Sequence, residues 1–251
     1  MFITYFNQIR IESLIKKHSV DFLDFGCSSG GSIEFAEKRF GGFKGLGIDI
    51  SQKKVEKATS NGYLAINYNL NQLPHKELVS FCILSHFLEH IPQREQVKKF
   101  IESAIRISKD FVYIQQPFFD VDGYLFEKGL KLSWSDWSCH PNRMSSIELW
   151  AVLRDLKLIG LDFNFSILVY GKISNSSEKY ILDINCPKDF LYKEDGEDIL
   201  GNIELEGVYK EVICLISKPH VDHKQLLEKC RYDKIIFKDI KKPVCIDLNK
   251  V

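Results

Sequence analysis

Three groups of residues in this chain have types and spacings suited to chemistry. Gly26-Cys27-Ser28-Ser29-Gly30-Gly31 follows the apolar run Val20 to Phe25, and Asp49 closes a second apolar run about twenty residues later. A strand that reverses into a helix within a few residues needs positions without a Cβ, both to reach positive φ and to bring backbone N–H groups against a ligand. Gly26, Gly30 and Gly31 supply them. A second strand at this spacing brings its acid to a ribose diol as a two-point acceptor, the way an open α/β sheet holds a nucleoside-containing cofactor. The second group is Ser85-His86-Phe87-Leu88-Glu89-His90-Ile91-Pro92, with two imidazoles at i, i+4 beyond another apolar run. The third is Asp120, Asp122 and His140, the last within Ser138-Cys139-His140-Pro141-Asn142-Arg143. An imidazole titrates near neutrality and suits a general base.

The glycine turn by itself leaves the cofactor open. Gly26-x-Ser28-x-x-Gly31 is a nicotinamide-type fingerprint lacking its middle glycine, and Gly26-Cys27-Ser28-Ser29-Gly30 is equally an S-adenosylmethionine loop lacking its own. The run Leu78-Val79-Ser80-Phe81-Cys82-Ile83-Leu84 reads as a parallel strand buried on both faces, and it leads into Leu88-Glu89-His90-Ile91-Pro92. At this point the chain resembles the class I S-adenosylmethionine-dependent methyltransferases. Their pattern is an L-D-x-G-C-G-x-G first loop, an acid ending the second strand, an acid-Leu pair after the third, and L-E-H-h-P after the fourth. Leu23-Asp24-Phe25-Gly26-Cys27-Ser28-Ser29-Gly30, Asp49, Asn69-Leu70 and Leu88 to Pro92 match in that order. Two positions depart from it. Ser28 stands at the usual central glycine, and Asn69 replaces the carboxylate that in the family accepts from the adenine amino group, a role an amide oxygen can fill.

The resemblance implies S-adenosyl-L-methionine as cofactor, held by Asp24, Gly26, Ser28, Gly30, Asp49, Ile50, Asn69, Leu70, Ser85 and His86. The implied fold is a doubly wound, mostly parallel α/β sheet of seven strands with an antiparallel last strand. Residues 1–218 then form the methyltransferase domain, with a substrate lid at 116–143 and an insertion at 171–210 between the last two strands. Residues 219–251 remain as a C-terminal extension.

The elements expected to position these groups follow from periodicity. Thr4 to His18 is an amphipathic helix with Phe6, Ile9, Ile11, Leu14 and Ile15 near one face, packing beside the sheet or over the cofactor. Strands are expected at about Asp21–Phe25, Phe43–Asp49, Tyr63–Asn67, Leu78–Leu84 and Phe111–Gln115, with helices at Ser32–Arg39, Ser51–Asn61 and Gln93–Ser108 between them. The β-α alternation gives a parallel sheet with right-handed crossovers. From Gln116 to Arg143 the period is lost. Phe118, Phe119, Tyr124, Phe126, Trp134 and Trp137 lie there, and so aromatic a stretch argues for an ordered, substrate-facing lid. It ends at the capping box Ser145-x-x-Glu148, which opens a helix to Leu156. The last strands are Gly160–Tyr170 and Glu211–Ser217, with Tyr180 to Ile184 as an extra strand. The acidic run Glu194-Asp195-Gly196-Glu197-Asp198 lies between them, and the apolar segments Ile235-Ile236-Phe237 and Val244-Cys245-Ile246 follow.

Composition bounds the function. The 251 residues carry 34 basic and 34 acidic side chains, so no global field draws the chain to nucleic acid. The pairs Lys53-Lys54, Lys98-Lys99 and Lys241-Lys242 read as solvated surface. Seven cysteines, an odd number without C-x-x-C spacing, read as free thiols of a reducing, cytoplasmic protein. No run is long enough for a secretory signal or membrane span, so no membrane partner is expected.

Methyl transfer from a sulfonium is an in-line displacement, and alignment supplies at best about 7–11 kcal/mol. A neutral hydroxyl acceptor also needs a base. His140 is the candidate, with Asp120 and Asp122 to bind hydroxyls or orient it, and no metal is expected. Hydrogen bonding of His140 to the lid backbone is the structural alternative. The acceptor side takes His90, Tyr124, Trp134, Trp137 and Arg143, the last for an anionic group. His220-x-x-His223 reads as a solvated loop pair. The fourth strand lacks the Pro-Pro-aromatic and Pro-Cys motifs of nucleic-acid base methyltransferases, and the double-glutamate loop of protein arginine methyltransferases is missing. A small-molecule or glycan acceptor remains, a sugar or sugar nucleotide of a bacterial surface polysaccharide in particular, with O-methylation favoured. A NAD-dependent oxidoreductase and a non-catalytic cofactor-binding module are the rival readings.

Overall fold

The computed structural model describes residues 2–41, 44–191 and 201–239, with residues 2–9 as backbone alone. The first half alternates: α1 (Phe2–His18), β1 (Phe22–Phe25), α2 (Gly31–Phe40), β2 (Gly45–Asp49), α3 (Gln52–Ser60), β3 (Ala65–Asn67), β4 (Val79–Ser85), α4 (Arg94–Ile107) and β5 (Ser108–Pro117). The second half contains α5 (Asp122–Glu127), β6 (Leu130–Leu132), α6 (Ser146–Leu158), β7 (Asn164–Asn175), β8 (Ile181–Asp183), β9 (Glu204–Ser217), α7 (His223–Glu228) and β10 (Lys234–Lys238). Phe43, Glu194 to Asp198, Lys241-Lys242 and Val244-Cys245-Ile246 lie outside the described residues, as do the side chains of Phe6 and Ile9.

The main sheet runs β10-β7-β9-β5-β4-β1-β2-β3. β1 to β5 are parallel, and β9 enters antiparallel between β5 and β7. These are the expected seven strands, and β10 adds an eighth by pairing antiparallel with β7. The extra strand exists because Ile235 and Phe237 face inward in alternation with the exposed Lys234, Ile236 and Lys238, and the Phe237 ring stacks on Phe165 at 5.4 Å. The short strand expected near Tyr180 forms, but outside the main sheet: β8 pairs with β6 of the lid.

The central strands are buried on both faces, as their continuous apolar runs require. On one face Phe22, Phe81 and Phe111 are cross-strand partners in successive strands. Their rings stack at 4.6 and 4.4 Å, with Phe40 of α2 set edge-on against Phe81. On the other face α4 buries Val97, Phe100, Ile101, Ala104 and Ile105. Ile11 and Ile15 of α1 are buried as well, and the helix packs on the 3₁₀ turn Leu70–Gln72 after β3. The described cysteines are all free, and Cys27, Cys82, Cys214 and Cys230 are buried among apolar side chains. Among the described residues no helix is long and apolar enough to cross a membrane.

Candidate functional site

The C-terminal ends of the parallel strands open into a cleft of about 880 Å³. It is lined by the glycine turn, Asp49, Asn69, His86 and His90, with Ile48, Ile50, Tyr68, Leu70 and Phe100 as apolar wall. The turn needs its glycines. Gly26 has φ +75° and Gly30 φ +96°, and a Cβ at either would fall within 2.3 Å of a ring, that of Phe87 or Tyr63. Gly31 starts α2 with open space where a side chain would stand. Ser28, at the position where the resembled family has glycine, keeps a left-handed φ of 47°. Its backbone N–H donates to Asp49 Oδ2 at 3.2 Å, while Ser51 N–H donates to Asp49 Oδ1 at 2.8 Å. The acid is thus oriented by two backbone donors, and each oxygen retains acceptor capacity for a diol.

Asp24 sits behind this surface. It is fully buried, accepts from Ser32 Oγ at 2.5 Å, and leaves its other oxygen without a partner. Burial, with the Asp49 charge adding, outweighs the Ser32 bond and pushes its pKa up to about 7. Ser32 lines the cleft where Asp24 does not, and Asp24 orients the Ser32 hydroxyl from behind. Asn69 does line the cleft, but its amide oxygen accepts from both the backbone N–H and the side chain of Asn71. Those bonds occupy both lone pairs, so the oxygen expected for an adenine amino group is already spent.

His86 also has a left-handed backbone, φ 49°, held by its N–H to Gln115 O at 2.8 Å. Its ring lies 3.3 Å from Glu89 Oε1 on one side and 3.3 Å from Glu211 Oε1 on the other. Burial opposes the charged ring, but the bonds to Glu211 and Glu89 and their charges win, raising its pKa to about 10. His86 is an imidazolium tying the turn after β4 to β9. Glu211, which comes from that antiparallel strand, was beyond the reach of any local motif.

A second cavity of about 600 Å³ adjoins the cleft, with Pro92 common to both walls. Trp137, His140, Asn142, Arg143 and Lys188 line it. The lid tip is fastened to the 3₁₀ turn Leu88–His90: Asn142 Nδ2 donates to Leu88 O at 3.0 Å and Asn142 N to Glu89 O at 3.2 Å. The rings of His90 and His140 consequently lie 5.2 Å apart. His140 is buried, with Nδ1 3.3 Å from Trp134 O, and desolvation lowers its pKa. A carbonyl only accepts, so Nδ1 carries the proton and Nε2 keeps a lone pair. The backbone bond and the basic nitrogen coexist on one ring.

Other expected acceptor-side residues lie elsewhere. Asp120 accepts from Ser146 N at 2.7 Å at the start of α6, and Asp122 accepts from Ser135 Oγ at 2.6 Å with its pKa raised by burial. Both stitch the lid to itself because the chain folds back over the head of α6, and neither lines either cavity. Trp134 is buried against Tyr180, its indole N–H donating to Phe118 O at 3.0 Å. Tyr124 accepts from Glu206 N at 3.3 Å. Of the lid aromatics expected at the acceptor, Trp137 lines the second cavity.

A strand-end cleft of this shape, with a diol-oriented acid and a strained glycine turn, defines a nucleoside-cofactor enzyme of the open α/β type. Residues 23–111 match the family model for a methyltransferase domain, the class to which the strand-end cleft and its glycine turn also point. No curated protein matches it in sequence. Among solved structures, the plantazolicin methyltransferase BpumL in complex with a pentazolic desmethylPZN analog and SAH is similar at 14% identity and a TM-score of 0.50, over 79% of this chain and 76% of that one. SAM-dependent methyltransferases of Methanosarcina mazei and Archaeoglobus fulgidus are each 16% identical with TM-scores of 0.49. They cover 79% and 84% of this chain and 92% and 94% of their own.

The cleft fits that cofactor. The turn offers backbone N–H groups without Cβ obstruction, Asp49 offers two oriented oxygens, and Tyr68, Leu70 and Phe100 offer an apolar wall for a base.

Proposed function

We propose that this protein methylates a hydroxyl of a sugar or sugar nucleotide, of the kind used for bacterial surface polysaccharide. The single observation carrying this reading is the second cavity, which meets the donor cleft at Pro92 with His140 on its wall. S-adenosylmethionine supplies an electrophilic methyl group. The protein's own residues do the rest. The turn and Asp49 fix the donor, and Trp137 offers a flat face for a sugar or base. Arg143 and Lys188 add cationic groups suited to a diphosphate. His140 Nε2 is the group available to take the hydroxyl proton, and its lowered pKa keeps it unprotonated at neutral pH.

Calorimetry with S-adenosylhomocysteine, followed by a methyl-transfer assay over sugar nucleotides, free sugars and amines, tests this. Binding of the product and turnover confined to sugar nucleotides or free sugars are expected. His140→Ala should keep the product affinity and lower turnover by ~10²-fold or more. Transfer to amines alone, or full turnover by the variant, would reject the acceptor class or the base respectively.

A further inference from the structure

We propose that His90, Cys139 and His140 form a three-ligand site for a thiophilic divalent transition ion of the zinc class, at the junction of the two cavities. One donor atom from each residue lies within 4.8 Å of the others, the one such group among the described residues. The three come from segments 49 residues apart, and the Asn142 bonds to Leu88 O and Glu89 O hold those segments together independently of any ion.

The hydrogen bonding behind the rings matches what a metal needs. His90 Nδ1 lies 2.6 Å from Cys139 O, and His140 Nδ1 lies 3.3 Å from Trp134 O. Both partners are carbonyls, so each Nδ1 is a donor and each Nε2 is left with its lone pair. Metal-binding histidines are commonly oriented by such a bond from the second nitrogen to a backbone carbonyl. A thiolate with two imidazoles selects zinc, cobalt or their neighbours over magnesium and calcium, which prefer oxygen.

Metal–ligand lengths of about 2.0–2.3 Å in a tetrahedron place donor atoms roughly 3.3–3.8 Å apart. The group has to contract by about 1 Å from its widest separation. Cys139 is exposed, and rotation about its χ1 moves the sulfur by more than that. Three protein ligands leave a fourth position open, as in reactive rather than closed structural sites. His90 lines the donor cleft and His140 the second cavity, so that position falls where an acceptor would meet the donor.

The inference bears on the proposed acceptor chemistry and rests on that reading for its role, though not for its existence. A hydroxyl placed on the ion is acidified and loses its proton to solvent. With the ion bound, His140 Nε2 is a ligand, and the base role given to it above belongs to the metal-free protein. The methylation remains a simple displacement: the acceptor oxygen gains the methyl group, the sulfonium C–S bond breaks, and its electron pair stays on sulfur.

The test is direct metal binding by the full chain. After treatment with a chelator, titration with Co²⁺ is followed by absorption. One equivalent should bind, with tetrahedral ligand-field bands and a thiolate-to-cobalt charge-transfer band. Cys139→Ser should abolish the charge-transfer band while leaving S-adenosylhomocysteine affinity unchanged. That variant and His90→Ala should each weaken Co²⁺ binding by at least roughly 10–100-fold, the scale on which even outer partners of a metal site act. Absence of stoichiometric Co²⁺ binding would overturn the site, as would binding undiminished in both variants. Failure of S-adenosylhomocysteine to bind the parent chain would instead strike the donor reading and leave the metal result standing.

Discussion

The donor cleft and the acceptor cavity meet at Pro92, yet different kinds of contact hold them. The donor residues sit at the ends of β1, β2, β3 and β4, in register with one another, above stacked aromatic rings. The residues proposed for the acceptor sit on a segment without long elements, fastened by side chains to distant segments. Ser138 is held by Asp189, the Trp137 indole N–H reaches Phe190 O at 3.3 Å, and β6 pairs with β8. Buried Lys131 joins Asp136 to Cys186 O. A site built on a packed sheet resists perturbation until its core fails, whereas a site built on separate latches can loosen one contact at a time.

The largest effect sharpening this contrast is expected at Phe81, which is fully buried between two rings. Phe81→Ala should cost about 3–5 kcal/mol in chemical denaturation and weaken donor binding with the fold. A loss below 1 kcal/mol would show that the ring stack does not support the cleft. Asp49→Ala should reduce S-adenosylhomocysteine affinity roughly 10–100-fold in calorimetry, from loss of hydrogen bonds to a charged group. Unchanged affinity would remove the diol role.

Stability against pH separates the halves differently. Asp24 has a folded pKa raised from 3.8 to about 7, so its contribution is full below pH 3.8 and is lost as pH rises through 7. His86, raised from 6.5 to about 10, contributes fully below pH 6.5 and loses its contribution as pH rises through 10. Glu211→Gln should flatten the upper slope and leave the lower one. The pair is partly exposed, with 46% of the His86 side chain accessible, so screening keeps the change small. An identical pH profile in the variant would disconnect His86 from Glu211. The smallest effect is expected at the exposed latch. Asp189→Ala should leave the denaturation midpoint almost unchanged and raise the acceptor KM without altering donor affinity. Equal loss on both sides would mean the two regions are one cooperative unit.

The donor half was legible because its signals are local. Gly26, Gly30 and Asp49 are recognisable from type and spacing; the structure puts Gly26 and Asp49 in the cleft, while Gly30 shapes the turn against Tyr63 without lining it. The alternation of elements likewise gave the strands and helices of the parallel half, though not their order in the sheet. Orientation was less legible. Trp134 and Trp137 are three residues apart in an aperiodic stretch, and only the tertiary partner Phe118 O decides that the former turns inward. Asp120 and Asp122 looked reactive at a strand end, but the head of α6 and Ser135 claim them. Lys188, Asp189 and Glu211 reach the site from an insertion and an antiparallel strand, where no spacing rule connects them to the turn after β4.

The eighth strand has a consequence at the margin of the sheet. Among the described residues β10 is an edge strand, with Lys234 and Lys238 exposed at either end of its outer ladder and a half-exposed Ile236 between them. Another molecule aligning there to continue the ladder would have to bring ammonium groups against ammonium groups. At the opposite margin β3 offers a ladder of three residues. Growth by strand addition is thus discouraged at both borders, and the chain ends its sheet by charge on one side and by brevity on the other.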